Sequence, residues 1–337
     1  MSSILTGLLC AALSTNAPVA VSNLIAQKTG ISVPVANTND PVERDYYKIL
    51  GDDNDAEQDV IKWSDTADSG PRIGGGISEV NLNSRVRERL DGIKKEYEAF
   101  IAQHPDHVKI RLAYGSFLND THDEEGAVAQ WDKARLLDPK NPAGWNNLAN
   151  YYGHRGPVAK AFEYYDQAIA LNANEPVYYH NLATTVYLFR TDAETYYHLT
   201  EQQVFDKSLE LYRKAIRLAP DDFILFTDYA ESFYGTKPPR WKDGLTAWTQ
   251  ALQVAHDDLE REGVCIHLAR INLKLGQYAE ARRDLDAVTN ETFTILKKRL
   301  VRNLNLALHD ATNAPAPTLA PPTNSSPASI ANPKSSP

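Results

Sequence analysis

The residues best suited to chemistry in this chain are its nine histidines and two cysteines. His104 and His107 have a spacing that occurs in zinc sites, but no Cys lies near them in the sequence. Pro105 lies between them, so we expect the pair to frame a turn between two helices. Cys10 and Cys265 are too far apart in sequence to indicate a disulfide framework or a metal site. The sequence therefore predicts neither a metal nor a cofactor.

Acid–base catalysis would require a histidine oriented by a carboxylate, and the candidates are His180, His198 and His267. No carboxylate stands at a sequence spacing that defines a catalytic triad with any of them. The chain also contains no nucleophile elbow, phosphate-binding loop, dinucleotide-binding fingerprint or H-E-x-x-H zinc motif. These observations predict a protein that is not an enzyme.

The charge balance limits the classes of partner. The chain has 337 residues, of which 23% are charged, and its formal net charge is −9. A nucleic-acid-binding domain usually carries a basic stripe that neutralises phosphates, so this acidic balance argues against nucleic acid. No run of like charges is long enough to indicate a membrane-surface segment.

The N-terminal segment has the composition of a weak export signal. Residues 1–27 carry no charged side chain, and Ile4–Leu13 is apolar. That length is typical of the core of a secretory signal and is too short to span a bilayer. Thr15–Ala17 offers a small-residue cleavage site, although no Lys or Arg precedes the apolar segment. We expect a periplasmic or extracellular protein; the alternative is a short amphipathic segment at the start of a cytoplasmic protein.

The dominant pattern is a repeat with a period of 34 residues, which begins at Pro142 and ends at Glu175. Large, small and aromatic residues occupy fixed positions in it: Trp145, Leu148, Ala149, Tyr152, Ala161, Tyr165 and Ala168. This pattern resembles the tetratricopeptide repeat, a pair of antiparallel helices. In that family the small residues let the paired helices approach closely and the aromatic residues fill the remaining space, so we expect Trp145 in the core.

The same pattern recurs on both sides of this repeat. A first repeat spans Val108–Asn141, a third begins at Pro176, a fourth at Phe223, and a weaker fifth contains Cys265. The resemblance implies an all-α fold: a right-handed α-solenoid of about five tetratricopeptide helix-turn-helix repeats with capping helices. The expected caps are a helix over residues 79–103 and another over 292–308.

The resemblance divides the chain into four parts. Residues 1–30 form an N-terminal or signal segment, and residues 79–308 form the solenoid. Between them, residues 31–78 are predicted to be a linker with two short helices, near Val42–Leu50 and Asp55–Asp65, separated by Gly51–Asn54. Residues 309–337 are rich in Pro, Ser and Ala and bury too little apolar surface to offset the cost of ordering, so we expect disorder.

In this family the first helix of each repeat lines a groove that binds peptides or proteins. The resemblance therefore implies a non-catalytic interaction scaffold with an unidentified protein or peptide partner. Carried onto this sequence, the groove positions are Asn146, Asn147, Asn150, His180, Asn181, Thr184, Tyr187, Thr227, Asp228, Glu231, Tyr234, His267 and Arg270. Asparagine is frequent at such positions in the family, so an alternative is that these amides only stabilise the groove.

Chaperone-binding members of the family hold a terminal carboxylate with Lys and Arg in the groove. The equivalent positions here are Ala143, Asn146, Val177 and His180. A C-terminal carboxylate is therefore not the expected ligand.

Two insertions, Thr191–Gln203 and Lys237–Trp241, separate the first and second helices of the third and fourth repeats. Equivalent turns of a solenoid lie along one edge, so we expect the insertions to meet. They would bring aromatic and basic residues to one rim of the groove: Phe189, Tyr196, Tyr197, His198, Arg240 and Trp241. One alternative is that these residues pack onto their own repeat. Another is that the protein is an enzyme or binds carbohydrate, and uses the aromatic insertion to do so.

Overall fold

A computed structural model describes residues 40–69 and 79–313. Within these ranges the chain forms fourteen α-helices and two short 3₁₀ helices, with no strand, which confirms the all-α expectation. The contacts divide the chain into two compact units, one before and one after the Val254–Ala255 boundary.

The first unit contains eleven of the α-helices. They are α1 Pro41–Ser69, α2 Glu79–Gln103, α3 Val108–Asp120, α4 Glu124–Leu137, α5 Pro142–Arg155, α6 Val158–Leu171, α7 Pro176–Leu188, α8 Arg190–Tyr197, α9 Glu201–Leu218, α10 Phe223–Ser232 and α11 Trp241–Gln253. The four predicted repeats are the pairs α3–α4, α5–α6, α7–α9 and α10–α11. Helix α8 forms within the first insertion, where the repeat pattern predicts no element of its own.

Local signals explain where the helices begin and end. The side chain of Asn141 accepts a hydrogen bond from the backbone of Ala143, and Pro142 occupies the first turn of α5. His107 acts in the same way at α3, because its Nδ1 accepts from the backbone N–H of Ile110. The turn predicted around His104 and His107 is therefore confirmed, with His107 as a helix cap.

The first repeat packs through a small residue that faces an aromatic ring, because Gly115 lies against the indole of Trp131. The corresponding positions of the next three repeats hold Ala149 and Tyr165, Ala183 and Tyr212, and Ala230 and Trp248. All of these side chains are buried. The sequence pattern predicts that the two helices of a repeat approach closely. Small residues on the first helix leave room for this approach, and large rings on the second helix fill the remaining space.

The predicted core position of Trp145 is wrong. Its side chain is half-buried, and its Nε1 donates to the carbonyl oxygen of Pro139 at 3.0 Å. The ring packs edge-on against Tyr164, with 5.2 Å between centroids, and the Arg135 guanidinium lies 4.8 Å above it. Trp145 therefore lies at a partly exposed site over the turn that precedes α5, where it contacts side chains of α4 and α6, and not in the buried core.

The prediction of a linker before the solenoid is also wrong over Pro41–Ser69. This segment is one continuous helix instead of two short ones. Tyr46 and Leu50 are fully buried and belong to the same core as Tyr97 of α2 and Tyr114 of α3. Helices α1 and α2 therefore form a further antiparallel pair, and α2 is not an isolated cap.

The polar segment in the middle of α1 does not interrupt the helix because its carboxylates are satisfied there. Asp52 pairs with Lys48 one turn earlier, and the buried Asp53 accepts from the hydroxyl of Tyr97 at 2.8 Å. Tertiary packing against α2 thus outweighs the low helix propensity of Gly51 and its neighbours.

The second unit contains three α-helices: α12 Asp258–Leu275, α13 Tyr278–Asp286 and α14 Thr294–Asn313. Its core is formed by aliphatic residues that include Ile266, Leu285, Leu300 and Leu304. Helix α14 continues five residues beyond the predicted end at Leu308, so the disorder expected from residue 309 is wrong for 309–313. The remaining tail, the N-terminal segment and residues 70–78 of the predicted linker lie outside the described residues.

Candidate functional site

The predicted groove residues of repeats two to four lie on three consecutive first helices, α5, α7 and α10. We call this set the first-helix row: Asn146, Asn147, Asn150, His180, Asn181, Thr184, Tyr187, Thr227, Asp228 and Glu231. Three groove predictions remain and are described separately below: Tyr234, which lies just beyond α10, and His267 and Arg270, which lie on α12 in the second unit.

Asparagines connect the second repeat to the third. The Nδ2 of Asn181 on α7 donates to Oδ1 of Asn146 on α5 at 3.1 Å. The Nδ2 of Asn146 in turn donates to Oδ1 of the adjacent Asn147 at 3.4 Å. Asn146 and Asn147 are 3% and 7% exposed, and the bond from the half-buried Asn181 joins α7 to α5.

The side-chain amide nitrogen of Asn147 differs from the hydrogen-bonded amide nitrogens of Asn146 and Asn181. It is buried and has no hydrogen-bond partner in the part of the chain that the structure describes. Buried donors are normally paired, and leaving one unpaired costs about 1–3 kcal/mol. By contrast, Asn150 accepts from the hydroxyl of Tyr165 at 2.6 Å and is anchored within its own repeat.

A histidine–aspartate pair connects the third repeat to the fourth. The Nε2 of His180 on α7 lies 2.6 Å from Oδ2 of Asp228 on α10. Next to it, the hydroxyls of Thr184 and Tyr212 are 2.8 Å apart. The His180 ring packs against Tyr212, with 5.9 Å between centroids. The sequence could not indicate this pair, because its members lie 48 positions apart in different repeats.

Tyrosine hydroxyls face the carboxylates at this end of the row. Burial raises the pKa of Tyr212, and the nearby carboxylates of Asp228 and Glu231 raise it further. Burial and the carboxylate of Glu231 also raise the pKa of Tyr187, whereas the positive charge of Arg190 lowers it. Tyr212 is only 2% exposed, so it belongs to the core of the third repeat.

The other groove predictions of the fourth repeat differ in their surroundings. Thr227 is half-buried, and its hydroxyl donates to the carbonyl oxygen of Ile224 in its own helix at 3.0 Å. Glu231 is exposed. Tyr234 lies beyond the end of α10, with its ring centroid 6.2 Å from that of Trp241.

In the second unit, His267 is half-buried on α12. Burial lowers its pKa to about 4, and the positive charge of Arg270 acts in the same direction. A histidine in this state is neutral at physiological pH.

The two insertions meet, as the solenoid geometry predicts. The Nζ of Lys237 lies 3.3 Å from Oε1 of Glu201. Arg240 pairs with Asp206 at 2.9 Å and with Asp243 at 2.8 Å. The basic residues of the second insertion are therefore held by carboxylates at the start of α9 and α11.

The predicted rim residues nevertheless fall into two groups. Tyr196 and Tyr197 pack on Phe162 of α6, with centroids 5.4 and 5.3 Å apart. The Tyr197 hydroxyl donates to Asp166 at 3.2 Å. Phe189 belongs to the same apolar cluster. These aromatic residues attach the insertion to the second repeat, whereas Arg240 and Trp241 lie with the fourth.

His198 has a structural position in this insertion. It ends α8 in the left-handed conformation, with φ 54°, and its side chain is exposed. Left-handed backbone is uncommon for residues other than glycine and typical of a helix C-terminus. The turn therefore explains the position of His198 without a ligand.

The sequence profile of the tetratricopeptide repeat matches residues 120–176. This range covers the end of α3, helix α4 and the whole second repeat, where the observed helix pairs follow the predicted boundaries. The chain is therefore similar to the tetratricopeptide repeat family over these residues. Comparison with curated protein sequences finds no match.

Solved tetratricopeptide repeat structures share this fold. PilW, described as a widely conserved type IV pilus biogenesis factor, superposes with a TM-score of 0.50 at 11% identity, covering 66% of this chain and 96% of PilW. PilF of Pseudomonas aeruginosa gives 0.47 at 12% identity, covering 69% and 90%. MamA gives 0.40 at 20% identity, covering 51% and 92%. At these identities the likeness is one of fold alone.

Over 40–69 and 79–313, no group of three or more His, Cys, Asp or Glu side chains is arranged to hold a metal ion. Among the same residues, no helix combines the length and the apolar character needed to cross a membrane. The tetratricopeptide fold supports a general role in protein interaction.

Proposed function

We propose that the protein is a non-catalytic scaffold that binds an extended peptide or protein segment along the first-helix row. The observation that carries the proposal is the pair of bonds between repeats, Asn181 to Asn146 and His180 to Asp228. They connect three successive first helices through polar side chains.

The chemistry of the row suits a peptide backbone. An asparagine amide both donates and accepts, as a peptide group does, so amides can replace the hydrogen bonds that a bound segment would otherwise make with water. The unpaired Nδ2 of Asn147 supplies a donor that a backbone carbonyl would satisfy. The row contains no Lys or Arg, which argues against a terminal carboxylate as the ligand.

The aromatic insertion does not favour a second function. Tyr196 and Tyr197 pack on Phe162, and carbohydrate binding would require exposed aromatic faces. These contacts therefore favour the scaffold proposal over a carbohydrate-binding one.

Site-specific photo-crosslinking in the native host tests the proposal. A photoreactive phenylalanine would replace Thr227 or Glu231 in the row, and Gln167 or Thr249 as exposed controls on second helices. We expect crosslinks to the same partner from both row positions and none to that partner from the controls. Crosslinks that form equally from the controls, or only from them, would place the binding surface elsewhere.

A further inference from the structure

Helix α14 presents an outward face that combines apolar and basic side chains. Its inward face packs on the core of the second unit through Leu300 and Leu304, which are buried. On the opposite side, exposed residues follow one another at intervals of three and four positions, a spacing that places them on one face of a helix. We call this face the α14 stripe: Ile295, Lys298, Arg299, Arg302 and Leu306.

The two ends of the stripe are aliphatic. Ile295 and Leu306 are 83% and 58% exposed, and Ile295 is the most exposed large apolar residue in the described part of the chain. Eleven positions of helix separate them, which corresponds to about 16 Å. Burying either side chain would gain hydrophobic free energy that the folded second unit does not realise.

The three cations of the stripe have no partner in the second unit. Among the residues that the structure describes, Lys298, Arg299 and Arg302 form no ion pair, hydrogen bond or cation–π contact. No acidic residue occurs between Glu291 and Asp310, so the helix itself offers no carboxylate to them. The stripe is therefore a region of uncompensated positive charge in a chain whose formal net charge is −9.

The surroundings of the stripe do not neutralise it. Arg282 of α13 donates to Oδ1 of Asn305 at 2.8 Å, which adds a positive charge at the flank of the stripe. Asp310 lies beyond Leu306, and its Oδ1 is 3.7 Å from Nδ1 of the neighbouring His309. Residues 314–337 contain no Asp or Glu, so they supply no carboxylate side chain either.

A membrane that contains anionic lipids supplies both kinds of contact that the stripe offers. Phosphate headgroups attract Lys and Arg, and the acyl chains below them accept aliphatic side chains. A protein partner matches less well, because binding energy at protein interfaces is concentrated in a central cluster that is rich in Trp, Tyr and Arg. The stripe contains no aromatic residue, and its apolar residues lie at opposite ends. A bilayer is continuous, so each of them can insert at its own position.

We propose that the α14 stripe lies on the surface of a membrane that contains anionic phospholipids. Lys298, Arg299 and Arg302 bind phosphate oxygens, while Ile295 and Leu306 insert among the upper acyl carbons. This contact is peripheral and needs no spanning helix. It is a second surface, separate from the first-helix row and independent of peptide binding there.

Flotation with lipid vesicles tests the proposal. The full-length protein is mixed with vesicles of phosphatidylcholine alone, or of phosphatidylcholine and phosphatidylglycerol in equal parts. We expect binding to the anionic vesicles to be about 100-fold stronger than to the neutral ones, and to weaken as salt concentration rises. The apolar N-terminal segment has no charged side chain, so binding through it would be the same on both kinds of vesicle.

Variants of the stripe identify the residues responsible. The triple variant Lys298→Gln, Arg299→Gln, Arg302→Gln should weaken binding to the anionic vesicles about 100-fold, since each charge near such a surface contributes about fivefold. Ile295→Ser and Leu306→Ser should each weaken it about tenfold through lost apolar burial. All five side chains are exposed, so circular dichroism should show an unchanged fold.

The matched control changes the net charge by the same amount at exposed lysines outside the stripe. It is the triple variant Lys133→Gln, Lys242→Gln, Lys274→Gln, whose positions lie on α4, α11 and α12. This variant should bind the anionic vesicles as the unchanged protein does. Equal losses in the two triple variants would show that binding follows the overall charge, and would overturn the assignment to the stripe.

Other outcomes would also overturn it. Equal binding to both kinds of vesicle, or binding to neither, would show that the stripe does not recognise anionic lipid. If a photoreactive phenylalanine in place of Ile295 crosslinks to a protein in the native host while the vesicles remain unbound, the stripe contacts a protein instead. None of these results depends on crosslinking from Thr227 or Glu231, so the scaffold proposal is tested separately.

Discussion

A methyl group added at Gly115 would lie 2.4 Å from the indole Nε1 of Trp131, well inside van der Waals contact. The indole also donates to the carbonyl oxygen of Leu112 at 3.2 Å, which fixes the ring against α3. The first repeat therefore combines the largest aromatic side chain with the smallest residue opposite it.

We expect Gly115→Ala to destabilise the protein by about 1–3 kcal/mol, because the buried indole cannot move away without losing its hydrogen bond. Urea denaturation followed by circular dichroism measures the change. The matched controls are Gly51→Ala and Gly92→Ala, where no atom lies within 4 Å of the added methyl. Each control should stabilise its helix by about 0.5–1 kcal/mol. A neutral Gly115→Ala variant would contradict the packing of this repeat.

The two tryptophans Trp145 and Trp248 should differ strongly in their contributions to stability. Trp248 is 2% exposed and fills the fourth repeat, so Trp248→Ala should cost about 3–5 kcal/mol. Trp145 is half-buried over a turn, so Trp145→Ala should cost about 1–2 kcal/mol. Equal losses in chemical denaturation would show that Trp145 lies in the core after all.

The second unit should lose stability in mild acid because of His267. Burial lowers the pKa of His267 to about 4, from an ordinary value of 6.5. Between these two values the unfolded chain binds a proton that the folded chain does not, so stability falls as pH falls. The loss should reach about 3 kcal/mol near pH 4 and vanish above pH 7.

Amide hydrogen exchange in α12 measures this effect, after correction for the intrinsic pH dependence of exchange. His267→Gln should flatten the pH dependence between 6.5 and 4. The control is His309→Gln, since the side chain of His309 is 74% exposed. An unchanged slope in His267→Gln would assign the acid sensitivity to another group.

Tyr197 should act as a structural residue. Its ring packs on Phe162 and its hydroxyl bonds to Asp166. We expect Tyr197→Ala to destabilise the protein by about 2–4 kcal/mol through the cavity it leaves. Tyr197→Phe should cost only about 0.5–1.5 kcal/mol, since it removes one hydrogen bond. If Tyr197→Ala leaves the thermal midpoint unchanged, the ring is free to bind a partner.

The sequence by itself determined the repeats, because their signal is local and recurs. Small and aromatic residues at fixed positions, such as Ala149 and Tyr165, are set by the geometry of two helices joined by a short turn. That constraint operates within one repeat, so a period of 34 residues was enough to predict the helix pairs and to place the candidate groove residues on first helices. Helix α1 was missed because Gly51–Asn54 has the composition of a break, and only its contacts with α2 hold it helical.

The tertiary structure decided which side chains meet between repeats. Asn181 reaches Asn146 across 35 positions and His180 reaches Asp228 across 48, distances at which no sequence periodicity specifies a side-chain rotamer. The solenoid geometry is enough to predict that the two insertions meet. The contact of Tyr197 with Phe162, in contrast, depends on how α8 folds back. These contacts arise from the packing of whole helices, which is a property of the assembled repeats and not of any one segment.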